Sequence, residues 1–185
     1  AHVDAEFFFA VGTVDDFEDG NVSDWVPFTG GGATMSRTVV RWATPATGDA
    51  FGMRGTYRVP AGGWAGREKM SATKPDWRNA TGLTIRVNAP IGHRVHVQIH
   101  DRDGERFEYV TPLGTGTWQT LRPTFASFSN QVWQPAGVIV NGAMDLAGVR
   151  GVSVSFEGRS GSANFRDLML FADGTACSGG RWQAA

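Results

Sequence analysis

The stretch Arg94-Val95-His96-Val97-Gln98-Ile99-His100-Asp101-Arg102-Asp103-Gly104 decides the fold class. Val95, Val97 and Ile99 alternate with Arg94, His96, Gln98 and His100. A period of two places successive side chains on opposite faces of a β-strand. Asp101-Arg102-Asp103-Gly104 reads as a hairpin turn, because Asp-Gly tolerates the positive φ that tight hairpins need. The return strand is expected over residues 106–111. Residues 83–88 alternate in the same way, with Leu83, Ile85 and Val87 against Thr84, Arg86 and Asn88. So do residues 149–156, with Val152, Val154 and Phe156 against Ser153, Ser155 and Glu157.

Further strands are expected over 34–42, 50–59, 118–121 and 164–171. No dozen-residue window keeps apolar positions at helical spacing without Gly or Pro. Turn signals fall about every ten residues. The expectation is an all-β, two-sheet antiparallel β-sandwich of the jelly-roll type, with alternating strands that pack one face inside and wet the other. Residues 125–145 form a long irregular segment holding Trp133, and such a loop in a compact domain is usually functional or partly ordered by packing.

The 185 residues suffice for one domain with a core and are short for two. A single module over residues 1–172 is expected, with a Gly/Ser-rich tail or linker start over 173–185 that contains Cys177. One cysteine excludes an internal disulfide framework. A net charge of −1 with scattered Lys and Arg gives no field for nucleic acid or an anionic membrane. No apolar run approaches the ~20 residues of a membrane helix.

Several segments carry a family resemblance. They are Asp15-Asp16-Phe17-Glu18-Asp19-Gly20 with Trp25, Thr47-Gly48-Asp49-Ala50-Phe51-Gly52-Met53, and Asp76-Trp77-Arg78-Asn79-Ala80-Thr81-Gly82-Leu83. Trp118-Gln119-Thr120-Leu121 with Pro123, Phe125 and Phe128 follows, then Asp145-Leu146 and Asn164-Phe165-Arg166-Asp167-Leu168. In this order they resemble carbohydrate-binding modules of the galactose-binding-like jelly-roll group, family 11-like, over residues 15–171. Two departures stand out: Pro123-Thr124-Phe125 replaces a Pro-Phe pair, and Arg166-Asp167 replaces an Asp-Asp pair.

The resemblance implies a non-catalytic module that binds polysaccharide, a β-glucan or another plant or algal cell-wall glycan, and targets an attached catalytic module to it. A secreted, extracellular setting goes with that role. It also implies structural Ca2+ near both termini, with Glu18 and Asp167 matching the family's pattern and Asp49 and Asn21 as further ligands. Calcium takes six to eight oxygen ligands, which an acidic turn alone does not guarantee.

Sugar recognition needs flat aromatic rings and planar polar groups. Alternation aligns His96, Gln98 and His100 on one strand face. Arg86 joins them if the 83–88 strand is the neighbour, and Tyr109 lies on the hairpin partner, where Phe107 shares its parity. Trp64 and Trp133 sit in Gly/Pro-rich loops and are the candidate stacking platforms. The cationic members of this set favour tolerance of uronates.

Two alternatives stay open at this stage. Glu105, Glu108 and Glu157 are candidate glycosidase carboxylates, and a jelly-roll lyase could use His96 or His100 as base with Tyr109 and Arg86. The other alternative is a protein-interaction domain of the intermediate-associated type.

Overall fold

The computed structural model describes residues 8–41 and 51–173. Among these residues twelve strands follow in chain order: β1 (Phe8–Asp15), β2 (Trp25–Gly30), β3 (Thr34–Arg41), β4 (Phe51–Arg58), β5 (Trp64–Met70), β6 (Gly82–Asn88), β7 (His96–His100), β8 (Arg106–Val110), β9 (Gln119–Leu121), β10 (Ser129–Asn130), β11 (Gly151–Glu157) and β12 (Gly161–Asp173). Two short 3-10 turns, Phe125–Ser127 and Leu146–Gly148, are the helical elements among the described residues. No helix among them is long and apolar enough to cross a membrane.

The strands form two antiparallel sheets, as the alternation predicts. The first has the order β3-β4-β12-β6-β9, with β1 also pairing β12. The second has the order β10-β8-β7-β11-β5-β2. Apolar residues of alternating strands meet between them: Met53, Leu83, Ile85, Val87 and Phe165 from the first sheet, and Trp25, Val97, Ile99, Phe107, Val154 and Phe156 from the second.

Strands β1, β2, β5 and β10 lack a clear apolar alternation. The β5 sequence Trp64-Ala-Gly-Arg-Glu-Lys-Met turns Arg67 and Lys69 toward the interior side, where polar partners receive them. Arg67 donates to the carbonyls of Trp25 and Met35, and Lys69 pairs with Asp15 at 2.8 Å. The β2 strand carries Pro27, which is tolerated because β2 is an edge.

Asp15 ties the two sheets together. It ends β1 in the first sheet and is buried. Its Oδ2 accepts from the Trp25 indole at 2.7 Å and from Lys69 Nζ at 2.8 Å, both in the second sheet. Its Oδ1 accepts from Phe17 N at 2.8 Å, holding Phe17 at a φ of 64°. That left-handed backbone is uncommon for an aromatic residue. Phe17 in turn stacks on Trp25, with ring centroids 5.8 Å apart.

Asp15→Ala leaves two buried donors unpaired, at about 1–3 kcal/mol each. A loss of about 3 kcal/mol in urea unfolding is expected. Asp24→Ala, which removes the exposed partner of the same lysine, should cost less than about 1 kcal/mol. Equal losses would remove Asp15 from this role.

Candidate functional site

The outer face of the second sheet carries a row of polar side chains set by strand register. Gln98 on β7 lies opposite Glu108 on β8 and Ser153 on β11, and Ser153 lies opposite Glu68 on β5. His96 lies opposite Ser155, which lies opposite Gly66, and Gly66 opposite Phe28 on β2. Side chains on this face are joined to one another. Ser153 Oγ donates to Gln98 Oε1 at 3.0 Å and sits 3.1 Å from His100 Nε2. Gln98 Nε2 donates to Glu108 Oε1 at 3.0 Å.

Over this floor lies Arg106. It starts on β8 and reaches across β7 and β11 to Glu68 on β5, Nη2 to Oε2 at 3.3 Å. Its guanidinium carbon is 5.6 Å from the Phe28 ring and 5.4 Å from the Trp133 ring, within cation–π range of both. Beneath such a layer, Gln98, His100 and Ser153 are buried although they point away from the core.

The aromatic rings form one wall. Trp64 and Trp133 have centroids 6.2 Å apart, and Phe28 and Trp64 are 5.5 Å apart. Glycines seat them. A Cβ on Gly66 would come within 2.3 Å of the Phe28 ring, and one on Gly30 within 2.6 Å of Trp64. Phe28, Trp64, Trp133, Gln98, Gln131, Arg106, Ser155 and Glu157 line a cavity of about 90 Å³. Trp133 is 55% exposed, so its ring is available to a ligand.

The segment after β10 is fastened from below. Glu105 is fully buried. It accepts from Asn141 N at 2.9 Å, from Gly142 N at 3.0 Å and from the side-chain amide of Asn130. Gln134 adds two bonds to the β8 backbone, its Oε1 accepting from Arg106 N at 2.8 Å and its Nε2 donating to Arg106 O at 2.9 Å. Gln131 Nε2 donates to Glu108 Oε1 at 3.3 Å.

Burial sets the charge states of the two histidines. It pushes His100 down to about 3, with the Arg106 charge adding to the effect, so His100 is neutral near pH 7. Burial also opposes the charged form of His96. The hydrogen bond and charge of Glu108, 3.3 Å away, outweigh it and raise His96 above its ordinary value. Glu108 is pushed up by burial, but its bonds with His96 and Gln98 bring it below its ordinary value.

The structure brings together Trp64, Trp133 and Gln98 from the sequence-predicted set, with His96 on the same sheet face and His100 beneath Arg106. It separates the rest. Arg86 lies on β6 in the first sheet, paired with Asp167 at 3.1 Å and packed over Trp118. Strand β6 is thus not the neighbour of β7. Tyr109 packs inward with Phe107, its ring 5.8 Å from Phe128. The lyase set of histidine, Tyr109 and Arg86 is not assembled, and Glu105 is committed to holding a loop. Arg94 donates to the Thr111 carbonyl at 2.9 Å rather than facing the cavity.

Phe28, Arg106 and Gln131 were missed. The parity of Phe107 already assigns Arg106 and Glu108 to the outer face. Phe28 was hidden behind Pro27.

For calcium, Asp49 lies outside the described residues, as does the tail segment with Cys177. Glu18 Oε1 accepts from Phe51 N at 3.3 Å. Asp167, at a φ of 46°, is engaged by Arg86. Asn21 Oδ1 accepts from Ser23 N at 2.9 Å, and the residue lines a depression beside Arg37 and Arg67, a positive setting unsuited to a cation. Among the described residues no three His, Cys, Asp or Glu side chains converge to hold a metal ion.

Comparison with known proteins gives a consistent result. No curated protein sequence matches the chain. The structure resembles the family 11 carbohydrate-binding module of the cellulosomal cellulase Lic26A-Cel5E of Clostridium thermocellum, with a TM-score of 0.73 at 21% identity over 88% of this chain and 95% of that one. A family 11 module of the same organism, in complex with a β-1,3-1,4-mixed-linked tetrasaccharide, gives 0.72 at 23% identity over 89% and 98%. A family 30 module of the C. thermocellum cellulase Cel9D-Cel44B gives 0.56 at 13% identity over 80% and 92%. The family model described as carbohydrate binding domain (family 11) matches residues 7–173. With that span and the jelly-roll sandwich together, the chain belongs to carbohydrate-binding family 11.

Proposed function

We propose that the cavity on the outer face of the second sheet binds a neutral β-glucan. The observation that carries this reading is the convergence of Phe28, Trp64 and Trp133 with the polar ends of Gln98, Gln131, Ser155 and Glu157 around one space. Aromatic walls with a few placed polar groups are the general make-up of small-ligand sites. Apolar ring faces of a pyranose suit the tryptophans, and its hydroxyls suit the amides and the carboxylate. The mixed-linked tetrasaccharide bound to the related module supports the class of ligand.

The charge balance argues against uronates, contrary to the expectation from the sequence. Arg86 and Arg94 are elsewhere, and Arg106 is neutralised by Glu68. Glu157 and Glu108 remain, and Glu108 is paired with His96, which also lies within reach of the Arg94 charge. Among the described residues no cation pairs with Glu157, so an acidic polymer would meet an unpaired carboxylate in the cavity lining.

In this reading the module is non-catalytic, works outside the cell and delivers an attached enzyme to its polymer. Relatives drawn from cellulases support the last point. We further propose structural calcium at Glu18, Asp49 and Asp167. Phe51 N holds the Glu18 carboxylate beside the start of β4, two positions after Asp49. When bound, the ion would tie the acidic turn to β12.

Affinity electrophoresis tests the ligand. Retardation by mixed-linked β-glucan and none by alginate or pectin are expected. Trp133→Ala should weaken binding on the order of 30-fold, the ~2 kcal/mol typical of a central aromatic anchor. Trp118→Ala, on the other sheet, should leave it unchanged. Retardation by alginate but not glucan would overturn the reading.

For calcium, a chelator should lower the melting temperature of the wild type and leave that of Glu18→Gln unchanged. A wild type indifferent to chelator would remove the ion from the account.

A further inference from the structure

Arg67 stands on the interior side of β5, only 5% exposed, in the seam where the edge strands β2 and β3 of the two sheets approach each other. Its Nη1 donates to Trp25 O at 3.3 Å and its Nη2 to Met35 O. Those are two bonds from a group with five N–H donors. Its Nε is buried and has no partner. Among the described residues no carboxylate pairs with it.

A buried cation without a counter-charge is costly, and proteins ordinarily pair it. Here the neighbour is another cation. Arg37 on β3 donates to Ser23 O at 3.1 Å and likewise has no carboxylate among the described residues. Burial lowers the proton affinity of Arg67 below its ordinary value, and the Arg37 charge adds to that. Asp24, next to Ser23 in the chain, is taken by Lys69 at 2.7 Å.

Arg67 and Arg37 line one open surface depression of about 590 Å³, together with Asn21, Ser23, Ser36 and Thr38. We propose that this depression binds an oxyanion, a sulfate or a carboxylate, as a site separate from the glucan cavity. Guanidinium N–H groups match the spacing of paired oxyanion oxygens. Hydroxyl and amide groups around the rim supply further donors. The missing counter-charge of Arg67 then comes from the ligand. The anion is either free in solution or carried on a sugar polymer, and the chemistry of the site is the same for both.

Amide-detected NMR titration of the whole chain with sodium sulfate, against sodium chloride at equal ionic strength, tests the site. Saturable shifts at Asn21, Ser23, Arg37 and Thr38 are expected with sulfate and not with chloride. Arg37→Ala should weaken sulfate binding about tenfold, the scale of one charge-assisted hydrogen bond, while its affinity for mixed-linked glucan stays unchanged. That second readout separates this site from the cavity. Arg67→Met should abolish the sulfate shifts, and if that variant does not fold, Arg37→Ala decides alone. A sulfated galactan that binds more tightly per sulfate than free sulfate would identify a polymer-borne ligand, and equal binding would identify the free anion; either supports the site. Non-saturating shifts, or the same saturation in Arg37→Ala, would overturn it.

Discussion

The buried carboxylate of Glu105 is the constraint on which the cavity depends. Unlike the tryptophans, it touches no open space. It accepts from two successive backbone amides, Asn141 and Gly142, and from Asn130. Asp101, at the other end of the same turn, accepts from Glu105 N at 2.9 Å and from Asp145 N at 3.2 Å. Two fully buried acids from one hairpin therefore pin both ends of a loop that has little regular structure of its own. A carboxylate satisfied by backbone donors is among the stronger hydrogen-bonding arrangements available. With the loop fixed, Trp133 is placed against Trp64 and Arg106, and the aromatic wall of the cavity is set.

The same hairpin shows how far the sequence could be read. Strands β6, β7, β8 and β11 follow from strict alternation, and the sandwich follows from their number. Sheet membership does not. Strands β6 and β7 are consecutive in the chain and both have polar outer faces, yet they lie in opposite sheets, which removes Arg86 from the cavity. Strand β5 escaped because its interior side holds Arg67 and Lys69, whose partners come from distant strands. Tyr109 could be placed only by parity with Phe107, and Arg106 by the opposite parity. Trp133 lies in a loop as its sequence setting indicates, whereas Trp64, expected in a loop, opens strand β5, and nothing in the chain marks the two, 69 positions apart, as neighbours.

Charge is distributed unevenly over the two open sides of the molecule. The cavity lined by Phe28, Trp64 and Trp133 gathers glutamates around one neutralised arginine, with a neutral His100 beneath it and a His96 raised by Glu108. The seam between β2 and β3 gathers two arginines, neither paired with a carboxylate among the described residues. A single net charge of −1 conceals both. What each side accepts follows from local pairing, and the cation–π contacts of Arg106 show that an arginine facing a cavity need not offer a free positive charge.

Pro27 has a bearing on crowding. It sits in β2, at the open margin of the second sheet. A module held at high density along a polymer brings many such margins close together. A neighbouring molecule extending the sheet would need a continuous row of amide hydrogens, and proline interrupts that row. At this margin Pro27 works against sheet extension between neighbouring copies through β2.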